Sequence, residues 1–373
     1  MKISFVSSCK VPSDTANSIQ VMKVCQAFAQ LGHEVTLVVP GDQLSAISFQ
    51  QLQSHYGLTT SFAIQWLPAR ARRFFPWNAV RRARTLKADL LYCWPIQSAA
   101  LGLLAGIPSM LEMHDFPAGR FGPLWFRLFL TLPGRKRLLP ITDALRRELN
   151  HRYRPLPAGQ VVIAPDGVDL ERYANLPDSE SARRSLGLPP APTVLCTGHL
   201  YAGRGADLFL TLAAKFSQAS FVWVGGRPTD VETWKSRTTA QSQVNVTFTG
   251  FAPNERIPLY QAAADILLMP YGRNISGSSG GDIANIYSPM KMFEYLASGR
   301  AILTADLPVL HEVLDETTAV FAVPGDVESW ESALGGLLAD EKRRQSLGQC
   351  ARSVSQRYAW VERARRALEG FCG

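Results

Sequence analysis

The sequence predicts an α/β protein built from two doubly wound domains, each a parallel sheet with helices on both faces. Three observations carry this expectation. Short apolar runs alternate with amphipathic segments from the first residues onward. The alternation pauses in a Pro-, Ser- and charge-rich stretch at residues 171–192 and then restarts. A chain of 373 residues, 46% hydrophobic and 19% charged, has enough apolar side chain for two cores.

In the first half, strands are expected over residues 3–6, 35–39, 64–67, 90–93 and 109–113. Between the first two, Val21, Val24, Cys25, Phe28 and Leu31 recur at helical spacing, and Gly32 stops that helix. In the second half, strands are expected over 194–197, 221–224, 244–248, 266–269 and 301–304, with a short one near 319–323. Helices are expected from Asp207, over 255–262 and toward the end of the chain. The division is then 1–170, a linker at 171–192, 193–355, and a C-terminal helix at 356–373. Two such domains facing each other would form a cleft at the carboxyl ends of their strands, where ligands bind in doubly wound sheets.

Composition excludes several classes. The six cysteines, at 9, 25, 93, 196, 350 and 372, form no C-x-x-C pair, which argues against a disulfide framework or zinc site and for reduced thiols in a cytoplasm. Val6-Ser7-Ser8-Cys9 has the look of a lipoprotein cleavage site, but the apolar stretch before it is too short. Residues 90–111 carry no charge, yet Pro95, Gly102, Gly106 and Pro108 interrupt them, and they read as strand, helix, strand. The net charge of +8 is one-sided: residues 1–170 hold 19 Lys and Arg against 10 Asp and Glu, the remainder 20 against 21. That asymmetry points to an anionic partner for the first half.

Candidate chemistry lies in the loops after strands. Asn17 and Ser18 fall at the start of the first helix, where free N–H groups favour an anion; an ordinary helix cap is the alternative. His114 and Asp115 end the strand at 109–113, and a His there can bond a sugar hydroxyl, serve in acid–base work, or simply brace its own loop. "CTGHLYAGRGADLF" (196–209) places Gly198, Gly203 and Gly205 beside His199 and Arg204 before a helix, a diphosphate site in principle but not the G-x-G-x-x-G fingerprint. The Gly/Ser-rich loop at 269–291 offers Asp282 and Asn285 for hydroxyl bonding and is expected to close over substrate. In "NIYSPMKMFEYLASGRAI" (285–302), Pro289 suits a first helical turn and Glu294 lies about one turn in. That Glu could grip the vicinal hydroxyls of a ribose or sugar, or act as a cap or a lysine partner. No Asp-x-Asp occurs, so no carboxylate pair for a sugar-nucleotide metal is evident, and helix N-termini with basic residues would have to neutralise a diphosphate.

The stretches "GHLYAGRGADLF", "VGGRPTDVE", "VNVTFTGF", "ADILLMPY" and "SPMKMFEYLASGRAILTADLPVLHEVL" appear in the order found in the GT4 family of retaining glycosyltransferases, and "LGHEVTLV" and "IAPDGVDLERY" resemble its first domain and domain junction. The resemblance spans essentially the whole chain. It implies a GT-B fold, a nucleotide-sugar donor (UDP- or GDP-linked) in the second domain, a hydroxyl acceptor in the first, and no metal cofactor. It also implies that the C-terminal helix packs back on the first domain. Residue by residue, Glu294 resembles the glutamate that holds the donor ribose, Arg204 stands where a phosphate-binding Lys is usual, and His114 matches the His that contacts the donor sugar. Ser288 and Pro289, before Met290 and Lys291, resemble the backbone that cradles phosphate and sugar.

Three positions depart from the family pattern. The paired-glutamate motif would need Glu at 286, where this chain has Ile286; either Asp282 or Asn285 takes that role or the donor sugar's hydroxyls are held differently. His199 replaces the usual Arg of the phosphate pair, which weakens donor binding unless Arg204 and Lys291 compensate. The first loop has Ala16-Asn17-Ser18 in place of Gly-Gly.

Residues 69–84 and 119–139 interleave arginine with aromatic and aliphatic residues, a mixture suited to an anionic bilayer or to solvated helix faces; no nucleic-acid motif accompanies it. The expected protein is therefore a cytoplasmic hexosyltransferase making surface polysaccharide or glycoconjugate on a glycan or lipid-linked acceptor, with peripheral contact on the inner face of the cell membrane as one of the two readings of the basic stretches. The rival is a catalytically weak GT-B protein that binds nucleotide or glycan as an assembly partner.

Overall fold

The structure is a computed structural model that describes residues 1–41, 47–68, 73–275 and 282–371. The chain divides into two compact units, the first formed by Met1–Asp166 with Trp360–Gly373 and the second by Gly167–Ala359.

The first unit runs β1 (Lys2–Val6), α1 (Ala16–Gln30), β2 (Glu34–Pro40), α2 (Phe49–Tyr56), β3 (Ala63–Leu67), α3 (Phe75–Thr85), β4 (Leu90–Cys93), α4 (Ile96–Leu104), β5 (Ser109–Met113), α5 (Gly122–Thr131), β6 (Lys136–Pro140) and α6 (Asp143–Arg152). Its six strands lie in the order β3-β2-β1-β4-β5-β6, all parallel. Helices cover both faces of such a sheet, which is why β4 and β5 are buried at every residue and read as continuous apolar runs. Phe5 of β1 stacks on Tyr92 of β4 at 4.7 Å, and Phe28 of α1 meets the same ring edge-on at 5.3 Å.

β6 is a strand that the sequence pattern hides, because it opens with Lys136 and Arg137 inside the 119–139 stretch, whose basic and aromatic mixture suits a bilayer surface or a solvated helix face. Both are buried. Lys136 Nζ donates to the carbonyl oxygens of Phe129, Leu130 and Leu132 at 3.0, 2.7 and 2.5 Å, satisfying the open end of α5. Arg137 Nη1 donates to the carbonyl oxygens of Ala367 and Glu369, each at 2.7 Å. These two charges hold the fold and are not surface groups.

The second unit runs α7 (Ser179–Leu186), β7 (Thr193–Thr197), α8 (Ala206–Lys215), β8 (Ser220–Val224), α9 (Pro228–Ala240), β9 (Val246–Gly250), α10 (Ile257–Ala263), β10 (Ile266–Met269), α11 (Met290–Ser298), β11 (Ala301–Ala305), β12 (Val320–Ala322), α12 (Val327–Ala339) and α13 (Glu341–Ser355). The strand order β12-β11-β10-β7-β8-β9 repeats the topology of the first sheet. The chain then returns to the first unit as α14 (Trp360–Leu368).

Two expectations need correcting here. Residues 171–192 are not an open linker: they carry the 3-10 turn Leu170–Tyr173 and α7, capped by Asp178 and ended by Gly187 in the left-handed region. Arg183 Nη1 ties α7 to the body of its unit through Ala263 O and Asp265 Oδ2 at 3.0 and 2.9 Å. A helix that buries only Ala182 keeps the surface composition of a linker, which is why composition misleads. The strand expected from residue 244 starts at Val246; Val244 is exposed, and Asn245 is spent donating to the carbonyl oxygens of Ala213 and Ala219.

Among the described residues, no helix is long and apolar enough to cross a membrane. Residues 90–111 belong to β4, α4 and the start of β5. In each sheet the order reverses beside the first strand, between β1 and β4 and between β7 and β10. Doubly wound sheets bind ligands at the carboxyl ends of those strands.

Candidate functional site

In the second unit, β7 leads into Gly198, and the loop closes on Gly205, the N-cap of α8 at φ +83°. A Cβ at 205 would run into the carbonyl oxygen of Pro270 just beyond β10, so only glycine lets the loop pass the switch point. Arg204 is set between two rings, its guanidinium 5.6 Å from the centroid of Tyr271 and 4.8 Å from that of Tyr287, and Nη1 donates to the Tyr287 hydroxyl at 2.5 Å. Lys291 reaches the same place from α11: Nζ lies 3.5 Å from Cys196 Sγ, 5.2 Å from the Tyr271 centroid and 6.0 Å from that of Trp223.

Charge decides what this cradle is for. Burial pushes the Tyr271 hydroxyl up to about 12 and raises those of Tyr287 and the Cys196 thiol as well, so all three stay neutral near pH 7. None of the ion pairs among the described residues gives Arg204 or Lys291 a carboxylate. Two cations therefore share one aromatic wall with no negative partner, beside the starts of α8 and α11, neither of which has a side-chain cap. An anion is the complement that such a site lacks.

Glu294, the fifth residue of α11, is half-buried, and its Oε2 accepts from Gln261 Nε2 at 3.3 Å. Gln261 Oε1 accepts in turn from the Tyr173 hydroxyl at 2.9 Å, which fixes the amide's orientation. Pro289 stands at the N-cap, one residue before the helix begins at Met290, and Ser288 beside it is buried. His199 stacks on Tyr201 at 4.9 Å. The Asp282 carboxylate accepts from the backbone N–H of Ile275 and Ala284 at 3.0 and 3.1 Å, which holds it down in the carboxylate range and commits it to its own loop. Asn285 is exposed and Ile286 is buried in the core. Residues 276–281 of the loop expected to close over substrate lie outside the described residues.

The pairs Tyr271/Tyr287 and Gln261/Tyr173 escape sequence reading. They come from four separate segments, and only the aromatic residues flanking "MPYG" and "NIYS" hint at them.

In the first unit, Thr15 is the N-cap of α1, so neither Asn17 nor Ser18 caps it. Asn17 is exposed; Ser18 is buried, its hydroxyl 2.5 Å from that of Tyr56. His114 lies just beyond β5, partly exposed, with its ring 4.5 Å from Trp94 and its Nε2 2.7 Å from Glu112 Oε1. The Asp115 carboxylate accepts from the N–H of Phe116 at 2.7 Å.

The basic stretches also sort themselves. Residues 69–72 of the first stretch lie outside the described residues. α4 packs between α3 and α5, and on these three neighbouring helices or at their ends lie Phe74, Trp77, Leu104, Phe121 and Leu124, each more than half exposed. A surface cavity of about 350 Å³ opens beside α5, lined by Arg127, His151, Arg152, Tyr153 and Arg154 among others. Arg152 lies over the Phe116 ring at 4.0 Å and Arg127 over Tyr153 at 5.8 Å.

Comparison with known proteins adds the following. A family model described as Glycosyltransferase Family 4 matches residues 18–172, and one described as glycosyl transferases group 1 matches residues 191–340. The chain is 27% identical over 224 residues to a GDP-mannose-dependent alpha-(1-6)-phosphatidylinositol monomannoside mannosyltransferase of Mycolicibacterium smegmatis, covering 58% of this chain and 57% of that protein. It is 25% identical over 314 residues to a 2-deoxystreptamine N-acetyl-D-glucosaminyltransferase of Streptomyces fradiae, covering 77% and 72%. The match thus spans little more than half the length of the mycobacterial relative. In fold it resembles HepE of Anabaena, solved with UDP, at a TM-score of 0.75 and 16% identity over 99% of both chains.

Proposed function

This chain belongs to the GT4-type glycosyltransferases and has their GT-B fold, and from that premise we propose that it moves a hexosyl unit from a UDP- or GDP-sugar to a hydroxyl acceptor, retaining anomeric configuration and requiring no metal ion. The observation that carries the reading is the pair of cations, Arg204 and Lys291, held on one aromatic wall with no carboxylate partner. A sugar nucleotide's diphosphate supplies the missing negative charge, with the N-termini of α8 and α11 adding partial positive charge in place of a metal. Gly198, unhindered by a side chain, leaves room beside Lys291, and Glu294, steadied by Gln261, accepts from the ribose hydroxyls.

In the transfer step, the bond from the sugar's anomeric carbon to the diphosphate breaks while the acceptor oxygen bonds to that carbon on the same face. The departing phosphate oxygen takes the acceptor's hydroxyl proton, and the two cations stabilise the charge it acquires. The family resemblance assigns His114, in the first unit, to the donor sugar. Ile286, buried where a Glu is usual, means that the sugar's hydroxyls are held by other groups, and it is the one feature favouring a weakly active binding protein instead.

The relatives support the donor class without choosing the base, since one is named for GDP-mannose and HepE is solved with UDP. The phosphatidylinositol monomannoside in the mycobacterial protein's name, together with the exposed apolar residues on α3 to α5 and the arginine-lined cavity beside them, supports peripheral attachment to an anionic membrane and a lipid-linked acceptor in glycoconjugate synthesis.

The test is calorimetric titration of UDP, GDP and ADP into the wild type and Glu294→Ala, in EDTA and in magnesium. Binding of one nucleotide in EDTA, weakened about tenfold or more in the variant, is the expected result. No binding of any nucleotide would refute the donor site, and binding without turnover of any sugar nucleotide would leave the assembly-partner reading.

A further inference from the structure

We infer that Glu112 is a positioning residue for His114, fixing its ring so that Nε2 carries the proton and Nδ1 is presented to substrate as a hydrogen-bond acceptor. The inference rests on His114 acting on the donor sugar, as proposed above, but its structural half stands apart from that reading.

Strand geometry creates the pair. Glu112 is in β5 and His114 follows two residues later, so the period of two sends both side chains to one face of the sheet. Glu112 is fully buried and surrounded by donors. Its Oε1 lies 2.6 Å from Gln20 Nε2, 2.7 Å from His114 Nε2 and 2.8 Å from Arg363 Nη2, and its Oε2 accepts from the Tyr92 hydroxyl. Burial alone would raise its carboxyl, but Arg363 and the hydrogen bonds outweigh this and hold it down at about 2. Arg363 is itself fixed, donating through Nε to Pro165 O at 2.7 Å and through Nη2 to Ala164 O at 3.1 Å.

A permanent carboxylate only accepts hydrogen bonds, so the His114 nitrogen facing it must hold the proton. In neutral imidazole the other nitrogen, Nδ1, then carries the lone pair. Among the described residues His114 hydrogen-bonds to Glu112 through Nε2, and with the side chain 28% exposed Nδ1 is the nitrogen left to meet a ligand hydroxyl. Trp94 against the ring restricts its rotation. Gln20 from α1, Tyr92 from β4 and Arg363 from α14 thus converge on a carboxylate whose one partly exposed partner is His114.

The discriminating experiment uses the full chain labelled with ¹⁵N-histidine, His114→Asn serving to assign the resonance. In the wild type a slowly exchanging Nε2–H proton should be seen on His114, shifted downfield by its carboxylate partner. In Glu112→Gln that signal should move upfield or exchange away, and kcat should fall about tenfold or more while nucleotide binding by calorimetry is unchanged. Glu112→Gln leaves Arg363 buried without its anion, so the charge-free pair Glu112→Gln with Arg363→Met is made alongside it. That double variant should fold with a Tm near wild type and still lose the His114 signal and the turnover. A double variant that keeps wild-type kcat, or a wild-type His114 protonated on Nδ1, overturns the inference. Failure of the wild type to bind nucleotide would count against the proposed function, while leaving the proton's position on His114 to be read directly.

Discussion

Replacing Arg204 by Met should weaken nucleoside diphosphate binding strongly while leaving the unliganded protein nearly as stable as before. Holding a guanidinium out of water costs several kcal/mol. The two ring faces, at 5.6 and 4.8 Å, return about 1–2 kcal/mol each, and the charge-assisted bond to Tyr287 returns about 1.5–3 kcal/mol. These terms nearly cancel. Met fills a similar volume between the rings, so stability should change by no more than about 1–2 kcal/mol, within about 8 °C in Tm for a unit of this size. Binding is different, because a diphosphate gains a charge-assisted bond that Met cannot give. A loss of about 2–3 kcal/mol corresponds to roughly 30- to 150-fold in Kd. Calorimetry with the nucleoside diphosphate, and with the bare nucleoside as a control that should not respond, measures the binding term, and thermal denaturation measures the other. Unchanged diphosphate affinity with a Tm lowered by more than about 8 °C would show Arg204 to be a structural stack, and the cradle argument would fall.

Three further outcomes are expected. Gly205→Ala should lose at least about 2 kcal/mol by urea denaturation, since φ is +83° and the new methyl meets the Pro270 carbonyl; a variant as stable as wild type would mean the loop yields freely. Burial pushes the Asp166 carboxyl from 3.8 up to about 7, and the positive charge of Arg363 offsets this only in part. The unfolded chain therefore releases this proton first, and stability falls as pH rises from about 4 through about 7, by at most about 4 kcal/mol above it. Asp166→Asn should gain on the wild type between pH 5 and pH 8, and an equal pH dependence in both proteins would contradict this. Finally, Trp77→Ser with Phe121→Ser should reduce sedimentation with phosphatidylglycerol vesicles about tenfold or more, each side chain contributing about 1.5–3 kcal/mol when buried; wild type that ignores such vesicles at low salt would remove the membrane face.

Much of this protein is legible in one dimension because its signals are local. A strand buried on both faces must be apolar throughout, so β4, β5, β7 and β10 announce themselves, and the repeat of that pattern gives two doubly wound units. The loops that follow those strands can be named for the same reason, and Arg204, Lys291, Glu294 and His114 all lie in or just beyond them. What pairs with what is another matter. Asp282 looked available for a ligand in sequence and is bound to its own loop, while Lys136 and Arg137 looked like surface charge and are interior ties. Tyr287 beside Arg204, Gln261 beside Glu294, and Arg363 beside Glu112 are 83, 33 and more than 200 residues apart in the chain. Sequence by itself determines which side chains stand at strand ends and helix starts, through periodicity and backbone chemistry. Only the tertiary fold decides which charges find partners, because burial and Coulomb energy depend on distance in space, and among the described residues it gives neither Arg204 nor Lys291 a carboxylate.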